Sequence, residues 1–275
     1  MEKGDIRKEV RESYAKVAKE GTSCCGPDLS CCGSGSTADS IGKAIGYSDS
    51  ELKSVPDGSN LGLGCGNPTA LASLQPGETV LDLGSGAGFD AFLAADQVGP
   101  DGRVICVDMT PEMVGRAREN ARKGEYGNVE FRLGEIEKMP VEDASVDAVI
   151  SNCVINLSPE KGRVFQEAFR VLRPGGRVMV SDIVLERELP DFIKSSMEAW
   201  AGCIAGAALK EDYLAAIRDA GFREVEVVGE TGVPFDLVAS DPTARAMMES
   251  MRISQAEAEK IVGTVVSVKV MAQKP

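Results

Sequence analysis

Short apolar runs alternate with amphipathic stretches through the middle of the chain, from residue 79 to residue 185. The runs are aliphatic and β-branched and have the length of buried strands. They are Val80–Leu83, Val104–Val107, Val129–Arg132, Val146–Ser151 and Arg177–Val184. Helical stretches begin between them near Phe89, Pro111 and Pro159. Strands that alternate with such helices form a parallel sheet covered on both faces, so the pattern predicts a Rossmann-like α/β fold with a doubly wound, mostly parallel sheet.

The pattern changes before this region. Ile6, Val10 and Val17 recur at helical spacing and predict an amphipathic helix. The segment that follows, GTSCCGPDLSCCGSGST, has no periodicity and predicts a loop rich in thiols. Further on, the sequence from Ser48 matches a capping box, and Asn67 is placed to cap a helix that starts at Pro68.

The pattern changes again after the fifth run. Residues 190–205 and 210–220 predict helices, and residues 222–229 and 264–272 predict two late strands. The chain therefore divides into three parts. They are the N-terminal helices and cysteine-rich loop in residues 1–60, a nucleotide-binding domain in residues 61–185 and a small C-terminal part in residues 186–275.

Composition excludes several classes of function. The chain has 43 acidic and 30 basic residues, a formal net charge of −13 that repels nucleic-acid phosphates and anionic lipid. No apolar run approaches the roughly 20 residues of a membrane-spanning helix. The first 20 residues are charged and lack the apolar segment of a secretion signal. We therefore expect a cytoplasmic protein that binds neither nucleic acid nor membranes.

Two residue counts narrow the chemistry. There is no histidine, so a histidine general base and a histidine metal ligand are both excluded. There are eight cysteines. In a reducing compartment cysteines serve as ligands or redox-active thiols more often than as structural disulfides. The chemistry is therefore expected to use thiols, carboxylates and a bound cofactor.

A glycine-rich turn follows the first predicted strand. Gly84, Gly86 and Gly88 form a G-x-G-x-G motif, which is weak by itself because 30 of the 275 residues are glycine. Its position is informative, since glycines between a strand and a helix let a ligand approach the backbone at the switch point of an α/β sheet. Asp108 ends the second strand, where a carboxylate can bind both ribose hydroxyls. These features predict a nucleotide site.

The charge beside the turn selects among nucleotides. A dinucleotide fold uses G-x-G-x-x-G, which places pyrophosphate at a helix N-terminus. Here Asp82 lies two residues before the first glycine and would repel pyrophosphate, whereas it suits the cationic amino-acid and sulfonium groups of S-adenosylmethionine. NAD and a turn that binds no nucleotide are the alternatives. We favour S-adenosylmethionine.

The ends of the third and fourth strands extend the predicted site. The segment from Gly134 to Glu137 can offer adenine an acidic side chain and a backbone N–H, although both glutamates could equally be solvent-exposed. Asn152, at the end of the fourth strand, can face the methionine end of the cofactor. The residues predicted to bind the cofactor are Asp82, Gly84, Ser85, Gly86, Gly88, Asp108, Met109, Glu135, Ile136, Glu137 and Asn152.

Four cysteines lie outside the N-terminal loop. Cys106, inside the second strand, is most simply a small buried hydrophobe. Cys65 sits in a glycine-rich turn, Cys153 follows the fourth strand and Cys203 comes after the fifth. Their separations of 88 and 50 residues exclude a local zinc knuckle. They permit a convergent site, because ligands in this fold gather at the carboxyl ends of the strands. Three unrelated buried thiols are the alternative.

Taken together, these segments resemble the prokaryotic arsenite methyltransferases. The resemblance rests on LGLGCGNP around Cys65, DLGSGAG after the first strand, VDMT after the second, SNCVINL at Cys153, and Cys203 in its tryptophan-containing segment. It implies a class I methyltransferase fold with a small arsenic-binding C-terminal part. It also implies that the three cysteines hold trivalent arsenic, supplied as arsenite or its thiol conjugates, near the methyl group of S-adenosylmethionine.

The same resemblance implies a disulfide relay. A fourth, N-terminal cysteine would join it, and the spacing to Cys65 favours Cys32, with Cys31 as the alternative. Reduced thioredoxin or glutathione would recycle the thiols. The chemistry is consistent with this, since thiolates are soft ligands that suit arsenic and leave its lone pair free to attack a methyl group without a general base. Methylation of an organic acceptor and non-enzymatic metalloid binding remain the alternative functions.

Overall fold

The computed structural model describes residues 3–20, 37–232, 235, 248 and 253–275. The strands are β1 (Thr79–Leu83), β2 (Arg103–Asp108), β3 (Val129–Leu133), β4 (Val146–Asn152), β5 (Leu172–Leu185), β6 (Arg223–Gly232) and β7 (Val265–Gln273). The helices before β2 are α1 (Lys3–Glu20), α2 (Thr37–Ala44), α3 (Asp49–Ser54), α4 (Pro68–Leu71) and α5 (Phe89–Val98). The later ones are α6 (Pro111–Lys123), α7 (Lys161–Val171), α8 (Asp191–Lys194), α9 (Met197–Ala201), α10 (Lys210–Asp219) and α11 (Gln255–Val262). Within these ranges no helix is long and apolar enough to cross a lipid bilayer.

The described strands form one sheet in the order β3-β2-β1-β4-β5-β7-β6. The first five strands along the chain pair in parallel. β7 runs antiparallel between β5 and β6. The strand order reverses between β1 and β4, which is where ligands bind in open α/β sheets. The predicted doubly wound, mostly parallel sheet is confirmed.

Helices bury both faces of the sheet. Leu81 of β1 packs on one face in a cluster with Phe165 of α7 and Tyr213 of α10. Val80, the preceding residue, points to the other face and packs with Phe92 of α5. All five side chains are fully buried. The continuous apolar runs of the central strands follow from this double burial.

The predicted helix caps are confirmed. Ser48 and Glu51 form a reciprocal capping box at the start of α3. The side chain of Asn67 accepts a hydrogen bond from the backbone N–H of Ala70, and Pro68 is the first residue of α4. These caps fix the chain direction just before and after the glycine-rich turn that carries Cys65.

Two elements differ from their predicted bounds. β5 begins at Leu172, five residues before its predicted start at Arg177. Its Pro-Gly-Gly segment is unfavourable in a strand, but hydrogen bonds between the backbone of Lys274 and that of Gly175 and Gly176 hold it in the sheet. The helix predicted over 190–205 is split into α8 and α9. Ser196 restarts it by accepting a hydrogen bond from Ala199 N–H, as an N-cap does.

Candidate active site

The turn between β1 and α5 comes very close to the end of β4. Gly84 has a φ of +63°, and a Cβ at this position would lie 2.3 Å from Cγ2 of Val154. Only glycine therefore fits here. The N–H groups of Gly84 and Ser85 both donate to the carbonyl oxygen of Val107, at 2.7 and 3.3 Å, which ties the turn to the end of β2.

A cavity opens at this turn, over the carboxyl ends of β1, β2 and β4, and α1 forms one of its walls. It is lined by nine of the eleven residues predicted to bind a cofactor. These are Asp82, Gly84, Ser85, Gly86, Asp108, Met109, Ile136, Glu137 and Asn152. The structure therefore brings most of the predicted site to one surface.

The other two predicted residues do not line this cavity. Gly88 starts α5 with a φ of +96°, and a Cβ there would lie 2.8 Å from the ring of Phe92, so this glycine permits the helix to pack. Glu135 forms ion pairs with Arg7 and Arg11 of α1, at 3.9 and 3.3 Å. Helix α1 therefore engages this carboxylate, and the contact of Glu135 with adenine stays a prediction.

Three buried aspartates line the cavity: Asp82, Asp90 and Asp108. Burial raises the pKa of each, that of Asp90 to about 6. Repulsion from the other two carboxylates raises the pKa of Asp82 further. Within the described part of the chain, Oδ2 of Asp82 has no hydrogen-bond partner. Such a set favours a cationic ligand, which would relieve both the repulsion and the burial of charge.

Asp108 also holds the surrounding loops. Its Oδ2 accepts a hydrogen bond from Gly86 N–H at 2.9 Å, and its Oδ1 accepts one from Thr110 N–H at 2.8 Å. One carboxylate therefore fixes both the glycine turn and the start of α6.

Asn152 connects the cavity to the turn that carries Cys65. Its Oδ1 accepts a hydrogen bond from Cys65 N–H at 3.0 Å, and its Nδ2 donates to the carbonyl oxygen of Gly66 at 2.8 Å. The same Nδ2 lies 2.9 Å from Oδ2 of Asp90 and 2.9 Å from the hydroxyl of Tyr47. That hydroxyl donates in turn to Oδ1 of Asp90 at 2.6 Å. The side-chain oxygen and nitrogen of Asn152 thus both bind the backbone of the Cys65 turn, and the nitrogen also contacts Tyr47 and Asp90 in the cavity wall.

Cys65, Cys153 and Cys203 come together beside this wall. The three side chains belong to one packed cluster, and the Cys203 sulfur lies 3.7 Å from the Cys153 carbonyl oxygen. Cys153 and Cys203 have φ angles of +59° and +66°, a conformation rare outside glycine that persists only where the surroundings enforce it. Among the described residues no three Cys, Asp or Glu side chains form a preformed metal site. The three sulfurs would therefore have to rearrange around a bound atom.

Two thiols of this cluster, those of Cys65 and Cys153, have raised pKa values. Burial raises the pKa of Cys65. For Cys153 the hydrogen bond with Cys203 lowers the pKa, but the bond with Cys65 and burial outweigh it and leave the pKa well above its usual value. A ligand that replaces the thiol protons is therefore needed before these sulfurs act as thiolates.

A short helical turn, Ile155–Leu157, follows Cys153 and is pinned from several sides. Asp182, fully buried, accepts a hydrogen bond from the backbone N–H of Asn156 at 3.0 Å. The ammonium of Lys161 donates to the carbonyl oxygen of Asn156 at 3.0 Å, and Trp200 Nε1 donates to that of Leu157 at 3.0 Å. The backbone that carries Cys153 is thus fixed.

Helix α1 spans both the cavity and the thiols. Arg7, Val10 and Tyr14 line the cavity, and the Tyr14 hydroxyl lies 3.8 Å from the sulfur of Cys203. Arg7 pairs with Glu137 at 3.2 Å and anchors the helix to the loop after β3. Cys32, the cysteine predicted to join the relay, lies outside the described residues, as do the other N-terminal cysteines.

The sequence analysis missed four residues that shape the site: Tyr47, Asp90, Asn156 and Asp182. Asp90 could have been found from the sequence, because it is a carboxylate in the first turn of an otherwise apolar helix, where burying a charge is costly unless it has a function. Asn156 lies in the CVINL segment that carried the resemblance, three residues after Cys153, so its polarity in an apolar run was a second signal. Tyr47 and Asp182 carried none, since their roles depend on tertiary contacts alone.

The chain is similar to known methyltransferases. A family model described as a methyltransferase domain matches residues 74–221. An arsenite methyltransferase of Halobacterium salinarum is 54% identical over 230 residues, covering 81% of this chain and 59% of that protein. The chain spans about half the length of the arsenite methyltransferases it matches, between 40% and 59%.

Two further relatives were found at lower identity. A solved structure of an arsenic(III) S-adenosylmethionine methyltransferase from Chlamydomonas reinhardtii superposes with a TM-score of 0.61 at 34% identity, covering 85% of this chain and 72% of that one. A ubiquinone/menaquinone biosynthesis C-methyltransferase of Brucella anthropi is 32% identical over 183 residues, covering 58% of this chain and 69% of that protein.

Proposed function

Because the chain belongs to the family of arsenic(III) S-adenosylmethionine methyltransferases, we propose that it methylates trivalent arsenic held by Cys65, Cys153 and Cys203. The convergence of three thiols from distant parts of the chain, beside a cavity lined with carboxylates, is the observation that carries this proposal. Arsenic is soft, and thiolate sulfur is the protein ligand that suits it.

The cavity fits S-adenosylmethionine as the methyl donor. The unpaired Oδ2 of Asp82 and the neighbouring Asp90 suit a positively charged amino-acid group, and the glycine turn leaves room for close approach. Asp108, which also lines the cavity, is the proposed ligand of the ribose hydroxyls. The bound cofactor supplies an electrophilic methyl group on a sulfonium sulfur.

The protein's own part in the reaction is placement and charge. Three thiolates on arsenic leave its lone pair exposed, so no residue has to remove a proton in the transfer itself. Asn152 holds the Cys65 turn at the cavity wall, and the pinned turn after β4 holds Cys153. Correct orientation of two bound reactants can contribute about 7–11 kcal/mol to catalysis.

We further propose that an N-terminal thiol completes the cycle. Methyl transfer leaves arsenic formally pentavalent, and it has to regain two electrons to become trivalent again. Two thiolates supply them by joining in a disulfide, which an external thiol, glutathione or thioredoxin, then reduces. Cys32, or Cys31 in its place, is the proposed partner of Cys65 in this step.

The proposed function is tested by incubating the protein with arsenite, S-adenosylmethionine and glutathione and then resolving the arsenic species. We expect methylated arsenic to appear together with one S-adenosylhomocysteine for each methyl group transferred. A variant with Cys31→Ser and Cys32→Ser should bind the cofactor normally but turn over slowly. Binding of arsenite without methylated products would support the metalloid-binding alternative instead.

A second candidate function is methylation of an organic acceptor, which the Brucella C-methyltransferase relative favours. In that case the three cysteines would only fill space. Activity toward an organic acceptor would then survive replacement of all three thiols, whereas arsenic methylation would not.

Cofactor binding should release protons near pH 6. Burial raises the pKa of Asp90 to about 6 in the free protein, and a cation bound beside it favours the ionised form and lowers that pKa. Between the two pKa values the free protein carries a proton that the complex lacks, so affinity rises with pH across this range. Calorimetry at pH 6 in buffers of different ionisation enthalpy measures the release. Asp90→Asn should diminish it, and proton uptake on binding would contradict the assignment.

A further inference from the structure

Tyr14 of α1 belongs both to the wall of the cofactor cavity and to the surroundings of the three thiols. It lines the cavity together with Asp108 and Cys153. Its hydroxyl lies 3.8 Å from the sulfur of Cys203, which is within hydrogen-bonding distance for sulfur. Cys203 itself is not among the residues that line the cavity. A ligand that fills the cavity can therefore reach Cys203 through Tyr14.

The packing of Tyr14 connects the same two regions. Its side chain packs against an apolar cluster that contains Ala87 of the glycine turn and Met113 of α6. It also packs against a second cluster that contains Leu157 of the turn after β4, and Trp200 and Cys203 contact that cluster too. Tyr14 is only half-buried by these contacts. Because it lines the cavity, a bound ligand adds further contacts that hold it in place.

The backbone of α1 is fixed on both sides of Tyr14. Near the start of the helix, Arg7 forms an ion pair with Glu137 at 3.2 Å. Near its end, the carbonyl oxygen of Ala18 accepts a hydrogen bond from Nη1 of Arg116 at 2.9 Å. A ligand in the cavity therefore acts on the side chain of Tyr14 rather than on the position of the helix.

The hydroxyl of Tyr14 gains a defined role when arsenic binds. Once the thiol hydrogen has gone, the sulfur of Cys203 can only accept a hydrogen bond, so the hydroxyl has to donate. We propose that Tyr14 is a positioning residue that couples the two sites: a cofactor in the cavity restrains its side chain, and its hydroxyl then holds the sulfur of Cys203 for arsenic. This inference rests on the proposed function and adds that each ligand strengthens the binding of the other, as linkage requires.

The test measures the affinity for arsenite with and without S-adenosylhomocysteine. This nucleoside fills the cofactor cavity but has no methyl group to transfer, so binding is separated from turnover. Trp200, the only tryptophan, packs on the same cluster as Cys203, so its fluorescence follows arsenite binding to the reduced protein. We expect S-adenosylhomocysteine to tighten arsenite binding by at least about 5-fold, the lower end of typical coupling between two sites. Arsenite should tighten the binding of S-adenosylhomocysteine, measured by calorimetry, by the same factor.

Tyr14→Phe keeps the ring and removes only the hydroxyl. It should bind S-adenosylhomocysteine alone as wild-type protein does, which also shows that the cavity is intact. The coupling factor should fall below about 2-fold, because the hydrogen bond that reaches Cys203 is lost. Tyr126→Phe is the matched control, since it removes a hydroxyl that donates to Asp96 at 3.2 Å, outside the residues that line the cavity. This variant should keep the wild-type coupling factor.

Two outcomes would overturn the inference and leave the proposed function standing. One is a wild-type affinity for arsenite that S-adenosylhomocysteine does not change. The other is a Tyr14→Phe variant that keeps the full coupling factor, even if its arsenite affinity falls equally with and without S-adenosylhomocysteine, because Tyr14 would then only fill space. If wild-type protein binds arsenite in neither condition, both the inference and the proposed arsenic site are wrong.

Discussion

Replacing Cys65 with Ser should reduce arsenic methylation by at least about 100-fold, the loss that follows when a reacting group is misplaced. The hydroxyl of serine is a hard ligand and binds arsenic poorly, so two thiolates would have to hold the substrate alone. The backbone should stay in place, because Asn152 binds the N–H of residue 65 and Ser267 binds its carbonyl oxygen at 2.8 Å. Cofactor affinity should therefore remain unchanged while turnover disappears.

Cys106 provides a matched control for this prediction. It is also a free cysteine, and it is buried in β2 within the core formed with α5 and α6. Cys106→Ala should retain turnover on arsenite even if it unfolds at a lower temperature. A Cys65→Ser variant that methylates arsenite as fast as Cys106→Ala would refute the three-thiol site.

Replacing Asp108 with Ala should weaken the binding of S-adenosylmethionine by about 10- to 160-fold, which corresponds to the loss of charged hydrogen bonds worth 1.5–3 kcal/mol. Two effects act together. The variant loses the carboxylate proposed to bind the ribose, and it also frees the N–H groups of Gly86 and Thr110, which hold the cavity floor.

The control for Asp108 is a carboxylate away from the cavity. Asp96 lies on α5 and accepts a hydrogen bond from the Tyr126 hydroxyl at 3.2 Å. Burial raises the pKa of Asp96 as well. Asp96→Asn should leave cofactor affinity, measured by calorimetry, at the wild-type value. Unaltered affinity in Asp108→Ala would mean that the ribose is held by other residues.

Local signals in the sequence predicted most of the fold. The strands were expected because most of them are short apolar runs between helical stretches, and the caps at Ser48 and Asn67 were expected because their side chains act on backbone only a few residues away. The start of β5 at Leu172 was not expected, because its Pro-Gly-Gly segment is held in the sheet by hydrogen bonds with Lys274, about 100 residues later. Local propensity cannot register such contacts.

The site was predictable only as far as its residues lie at strand ends. Topology alone brings Asp82, Asp108 and Asn152 to one edge of the sheet, so the motif spacing was sufficient. The link from Tyr47 through Asp90 to Asn152 depends on side chains that meet across three separate elements. The ion pairs of Glu135 with the two arginines of α1 could not be predicted from spacing, because they depend on how α1 packs against the loop after β3.

The position of β7 between β5 and β6 has a consequence for how the protein is made. A chain emerging from the ribosome produces β5 and then β6, yet neither can complete its hydrogen bonds until residues 265–273 appear. At roughly 5–20 residues per second, β5 waits several seconds with an open edge that can pair with another nascent chain. The same late strand carries Ser267, which anchors the Cys65 turn. The Cys65 turn therefore gains this hydrogen bond only at the end of synthesis. Interrupted translation would leave aggregation-prone chains in which the turn lacks it.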